Sequence, residues 1–129
     1  MSDVMDVQGR LLDLAKKLRD RTRAGHIDWV TTPHSSEVTA SGPNSGFTLR
    51  SMIDSDGDEV VTLALLNPRG QRVASLECEW SGGEEAPQNE VLRELYDLAK
   101  RKALKIDELI ESTLHDLDQG DFGPSELPF

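Results

Sequence analysis

The feature that most constrains this chain is a run of apolar residues in its last third: Leu92, Leu95, Ala99, Ala103, Ile106, Ile110, Leu114 and Leu117. The steps are three or four residues throughout. That is the spacing of one helical face, and it does not suit a strand, whose side chains alternate. A second line, Val91, Leu98 and Leu109, lies about 100° away around the same helix. The spacing predicts one helix from Asn89 to Leu117, with Asn89 as its N-terminal cap. Its apolar arc is about 160° wide, which suits contact with two neighbours at once.

A shorter helix is predicted from Asp3 to Arg23. Val4, Val7, Leu11, Leu14, Ala15 and Leu18 form its apolar stripe. Ser2 or Asp3 can cap it, and Lys16, Lys17, Arg19, Arg21 and Arg23 sit near the negative end of its dipole. Gly25 is the expected terminator. Because Asp13 and Asp20 interrupt the basic cluster, it reads as dipole matching and solvation rather than as a nucleic-acid patch.

Between the helices the period changes to two. Phe47, Leu49 and Ile53 alternate with Thr48, Arg50 and Met52. Val60 to Leu66 is nearly all apolar, as in a central strand covered on both faces. Gln71 to Trp80 is the returning strand. Asp56-Gly57 marks one hairpin turn, and Asn67-Pro68-Arg69-Gly70 has the residues of a type I turn. Residues 26–46 hold one strand or two, around Ile27–Val30 and Glu37–Ala40, and Ser81 to Gln88 reads as a loop. The expectation is a two-layer α+β fold, a three- to four-stranded antiparallel meander flanked by N- and C-terminal helices on one face. Residues 1–117 form a single domain, and 118–129 an acidic, flexible tail.

Formal net charge is −10, and it is uneven along the chain: +2 over residues 1–25, −5 over 26–83 and −7 over 84–129. Such a surface repels nucleic-acid backbones and anionic membranes and suits a basic protein partner. Cys78 is the only cysteine, which excludes an internal disulfide and makes a Cys-based zinc site implausible. The opening segment has no apolar core of a secretory signal, and no run is long enough to span a membrane, so a cytoplasmic protein is expected.

Motifs of chemistry are weak. Asp54-Ser55-Asp56-Gly57-Asp58-Glu59 looks calcium-like, but an EF-hand register puts Met52 and Leu63 at ligand positions. His26, His34 and His115 show no metal-ligand spacing. Ser35, His34 and Asp28 could be assembled on paper into a triad, yet no nucleophile elbow is present. Glu84-Glu85 and Asp107-Glu108 are adjacent carboxylates whose side chains diverge. Cys78 lies between Glu77 and Glu79, which oppose a reactive thiolate. No catalytic, cofactor or metal residue is assigned.

The remaining signal is a mismatch of length. A 29-residue helix is about 43 Å long, whereas a strand of eight residues spans about 27 Å. The helix therefore overhangs the sheet, and its end exposes Ile110, Leu114 and Leu117 unless something covers them. A second copy is the expected cover, giving a homodimer through this helix. A break near Lys105 that let the end fold back would remove the need for one. The indoles of Trp29 and Trp80 suit core anchoring, with protein contact as the alternative, and Leu104, off both apolar lines, and Phe122 and Phe129 of the tail are further candidates for protein contact. The functional expectation is a non-catalytic acidic binding module for a basic protein, in the manner of bacterial immunity proteins, antitoxins or secretion chaperones. The alternative is a small-ligand sensor or enzyme with a pocket between sheet and helices.

Overall fold

The first helix, α1 (Asp3–Arg23), covers the expected residues. The computed structural model describes the backbone of residues 3–120 and the side chains of residues 7–120. Leu11, Ala15 and Leu18 are buried along the stripe, while Val7 is 42% exposed. Gly25 ends the helix at φ 82°. Its N–H donates to the Thr22 carbonyl at 3.0 Å, and the His26 N–H donates to the Arg21 carbonyl at 2.9 Å. These two bonds satisfy the last helical carbonyls, and glycine enters the left-handed region at least cost.

Five strands follow: β1 (Val30–Thr31), β2 (Glu37–Ser41), β3 (Gly46–Ile53), β4 (Glu59–Leu66) and β5 (Arg72–Glu77). They form one sheet in sequence order, every neighbour antiparallel. The α+β meander is as expected, with one strand more than the widest expectation, since residues 26–46 supply two. The turns follow their residues. Asn67 Oδ1 accepts from the Arg69 and Gln71 N–H groups at 3.0 Å each, and Gly70 donates back to the Asn67 carbonyl at 2.8 Å. Asp54 plays the same part in the preceding turn, accepting from Asp56 and Asp58.

The register sets Val38, Leu49, Leu63 and Leu76 in one row across four strands. This row meets Leu11, Ala15 and Leu18 of α1, together with residues of the second helix, in one core. The opposite face carries the row Thr39, Thr48, Ala64 and Ser75 and the row Glu37, Arg50, Thr62 and Glu77. The expectation that the β4 segment is covered on both faces is thus corrected. The buried residues of both helices join the core on the Leu63 side, and Ala64 is 1% exposed because it is small and flanked by Thr48 and Ser75. Edge strand β5 is guarded rather than open. Gln8 donates to the Ser75 carbonyl and Gln88 to the Glu77 carbonyl, occupying acceptors that another strand would use.

The expected loop at 81–88 holds a small hairpin, β6 (Trp80–Ser81) with β7 (Glu84–Glu85). Gly82 and Gly83 both have positive φ, the requirement of a tight two-residue turn. Helix α2 (Pro87–Ala103) then begins with proline in its first turn. Asn89 does not cap it. Its side chain is buried, accepts from the Glu79 N–H and donates to the Glu79 carbonyl, both at 2.9 Å. The amide imitates a strand partner and pins the end of the sheet to the helix. Chain direction then changes at Leu104–Lys105, and α3 (Ile106–Asp118) follows as a separate helix. The single helix expected over 89–117 is therefore corrected to two.

Candidate protein interface

The break lies where α2 leaves the sheet. Over Pro87–Ala103 the helix packs on α1 and on strands β1 to β5, burying Val91, Leu92, Leu95, Tyr96 and Ala99. Beyond Ala99 no residue of α2 or α3 is buried. Lys105 takes φ 54° and ψ 42°, a left-handed conformation in a residue that bears a Cβ. The Leu104 N–H donates to the Lys100 carbonyl at 2.9 Å and the Lys105 N–H to Lys102 at 3.1 Å, closing α2. The Leu109 N–H then donates to the Lys105 carbonyl at 3.0 Å, opening α3. Arg101 clasps the corner, its Nε and terminal nitrogen both on Asp107 Oδ1 at 3.1 and 2.6 Å. That carboxylate also holds the Arg101 guanidinium above its ordinary pKa.

The break does not return α3 to the core. None of its residues is buried, and Leu109, Ile110, Leu114 and Leu117 are 64%, 51%, 52% and 54% exposed. At about 100° per residue these four, with Ile106 and Thr113, occupy one arc about 140° wide. Two surface grooves meet the start of α3. One is walled by Arg23, Leu98, Arg101, Lys102 and Asp107, and the other by Asp28, Trp29, Val30, Lys105 and Glu108. Acidic Asp107 and Glu108 line these grooves at the junction, while Ile106, Thr113 and Asp116 are half-buried and the other residues of α3 are exposed. The polar remainder of α3 holds Asp107, Glu108, Glu111, Asp116 and Asp118 and neither lysine nor arginine. Among the described residues only Asp107 of these five has a salt bridge.

The other candidate residues separate from this face. Leu104 sits at the corner, 46% exposed. Trp29 is corrected from a contact residue to a core residue: it is 3% exposed, and its indole N–H donates to Thr22 Oγ1 at 2.9 Å. Trp80 is half-buried against the core with the Arg93 guanidinium 5.8 Å over its ring. Arg93 is itself held by Glu85 and donates to the Glu59 carbonyl at 3.2 Å. Phe122 and Phe129 lie outside the described residues. The structure adds Leu109 to the face; the sequence shows it only on the second apolar line.

Elsewhere the surface offers less. Burial, and then the nearby Glu59, raise the Asp97 carboxyl above the usual range, and Lys100 opposes the shift. The carboxylates of Asp54, Asp56 and Asp58 come within 4.8 Å of one another at an exposed hairpin tip, where Asp54 is committed to the turn. An apolar cleft of about 300 Å³ opens between α1 and the β4–β5 side, lined by Val7, Arg10, Leu11, Leu14, Leu65 and Ala74. Arg10 is its one charged lining residue. Cys78 is buried, its thiol raised chiefly by that burial, and its sulfur accepts from the Val61 N–H at 3.5 Å. Among the described residues no helix is long and apolar enough to cross a membrane. Comparison with known families, with curated proteins and with solved structures returns no match for this chain.

Proposed function

We propose that this chain is a non-catalytic protein-binding module that engages a basic protein, as immunity proteins, antitoxins and secretion chaperones do, with α3 as its docking arm. One observation carries the reading. A helix that gives the fold no buried residue nevertheless keeps four large apolar side chains on one face, each at least half-exposed. Solvent-facing helix positions are ordinarily polar, and contiguous exposed apolar surface marks a contact site. The net charge of −10 supports a basic partner by steering the encounter.

The twofold dimer remains the competing way to cover the arm. An α3–α3 pair through the apolar face would bring the flanking carboxylates of Asp107, Glu111, Asp116 and Asp118 from both copies around one interface, which counts against it. The test is site-specific photo-crosslinking in the native cell. A probe at Thr113, within the apolar arc, is expected to trap a protein that a probe at Thr48 on the sheet does not, and Leu114→Ser is expected to abolish the adduct. Equal trapping at both positions, or none at Thr113, removes α3 as a docking arm.

A further inference from the structure

We infer that the occupant of α3 is a basic amphipathic helix, with lysine or arginine along the flank that faces Leu114. The inference rests on the docking reading above and specifies the occupant's chemistry. The face offers an isolated ridge of Leu109, Ile110, Thr113, Leu114 and Leu117. It has no strand edge and, apart from the Thr113 hydroxyl, no hydrogen-bonding group. An extended peptide laid there would bury backbone N–H and C=O groups with nothing to receive them. A helix satisfies its own backbone, and its side-chain ridge fits between those of α3. The apolar residues from Leu109 to Leu117 rise about 12 Å, so two to three turns of the occupant make the contact.

The charges around the ridge are asymmetric. At about 100° per residue, Asp107, Glu111 and Asp118 flank the Leu114 side, and Asp116 flanks the Leu109 side. Glu108 and His115 lie at the back. Of the three flank carboxylates beside Leu114, Asp107 is engaged by Arg101, while among the described residues Glu111 and Asp118 have no salt bridge. A cationic flank on the occupant therefore finds two uncommitted carboxylates on one side and Asp116 on the other. A second copy of α3 meets these carboxylates with its own. An anionic bilayer is disfavoured for the same reason, since helices that lie in such interfaces carry lysine and arginine beside the apolar face.

The probe is a labelled peptide of about four helical turns, leucine at i, i+3, i+4 and i+7, with lysine on both flanks. A control peptide has glutamate in place of lysine. Anisotropy titration of the full chain at low salt is expected to give at least about tenfold tighter binding of the lysine peptide, with the gap closing as salt rises. Leu114→Ser with Leu117→Ser is expected to weaken it about tenfold or more, with the fold checked by circular dichroism. Glu111→Lys is expected to weaken it about fivefold, and Glu108→Lys, the same charge change at the back, less than twofold.

Equal loss from Glu111→Lys and Glu108→Lys would mean attraction to net charge alone and overturns the inference. So does equal affinity for the two peptides. Self-association that the leucine substitutions abolish, with no peptide bound, replaces the basic helix by a second copy and leaves α3 as a docking arm. Uptake by phosphatidylserine vesicles that the same substitutions abolish assigns the face to a bilayer instead. Lysine-peptide binding indifferent to Leu114→Ser with Leu117→Ser overturns both the occupant and the arm.

Discussion

Helices α2 and α3 are consecutive, similarly amphipathic and written in one continuous apolar spacing, yet their fates are opposite. Leu92, Leu95 and Ala99 of α2 are fully buried between α1 and the sheet, while Ile110, Leu114 and Leu117 of α3 stand in solvent. Their difference shows that a periodic apolar face records the need for a neighbour without saying which molecule supplies it. For α2 the neighbour is in the same chain. The 13 residues of α3 are near the length at which an isolated helix is marginal in water, so packing on a partner would add most of its stability.

Truncation should split the two helices most sharply. Leu95→Ala removes a fully buried side chain and is expected to cost about 2–5 kcal/mol in urea unfolding. Leu114→Ala, the same change on α3, is expected to stay within about 0.5 kcal/mol. If the second variant costs as much as the first, α3 is packed within its own chain and the contrast fails. Native-state amide exchange offers a second view of it, with α2 opening only on global unfolding and α3 exchanging by local fraying.

The anchoring of the α2 start gives the next effect. Asn89→Ala leaves the Glu79 N–H and carbonyl without their partner, and a loss of about 2–3 kcal/mol is expected. Asn89→Asp should also destabilise, since a carboxylate cannot donate to the Glu79 carbonyl. A cost under about 0.5 kcal/mol for Asn89→Ala would show that water replaces the amide.

The hinge is expected to respond in the other direction. Lys105→Gly relieves the Cβ penalty of the left-handed conformation and gives back part of it as unfolded-state entropy, for a net gain of about 0.5–1 kcal/mol. A loss of stability instead would show that the corner is not held in that conformation in solution.

Alkaline pH probes the interior on the α2 side. Burial, as the largest cause, raises both the Cys78 thiol and the Tyr96 phenol above their ordinary values. Above about pH 8.5 the unfolded chain releases the thiol proton while the native chain keeps it, and the phenol follows at higher pH. Stability is therefore expected to fall as pH rises through this range. Cys78→Ala should flatten the first part of that fall, and Cys78 should resist iodoacetamide until the chain is unfolded. Rapid alkylation of the native protein would contradict its burial.

Most of the framework was legible because it is local. The bounds of α1, its glycine terminator, the alternation in β3 and the turns at Asp54–Asp58 and Asn67–Gly70 depend on residues within a few positions of one another. The hairpin of β6 and β7 is also written locally, in Gly82-Gly83, but strands of two residues are too short to show an alternation. Trp29 was ambiguous for a different reason. An indole suits an interface or a core equally well, and the choice depends on Thr22 of α1 receiving its N–H.

The sequence by itself determined that two amphipathic helices enclose a meander and that the second apolar face continues past the length of a strand. Only the tertiary structure decided where that face changes use. Nothing between Ala103 and Asp107 forbids a helix, for neither glycine nor proline occurs there. The turn at Lys105 falls after Ala99, the last buried residue of α2, so burial no longer fixes its direction, and the clasp of Arg101 on Asp107 favours the corner. The same separation of local pattern from distant partner explains Asn89, whose residue type suits a cap but whose partner, Glu79, is brought to it by the fold.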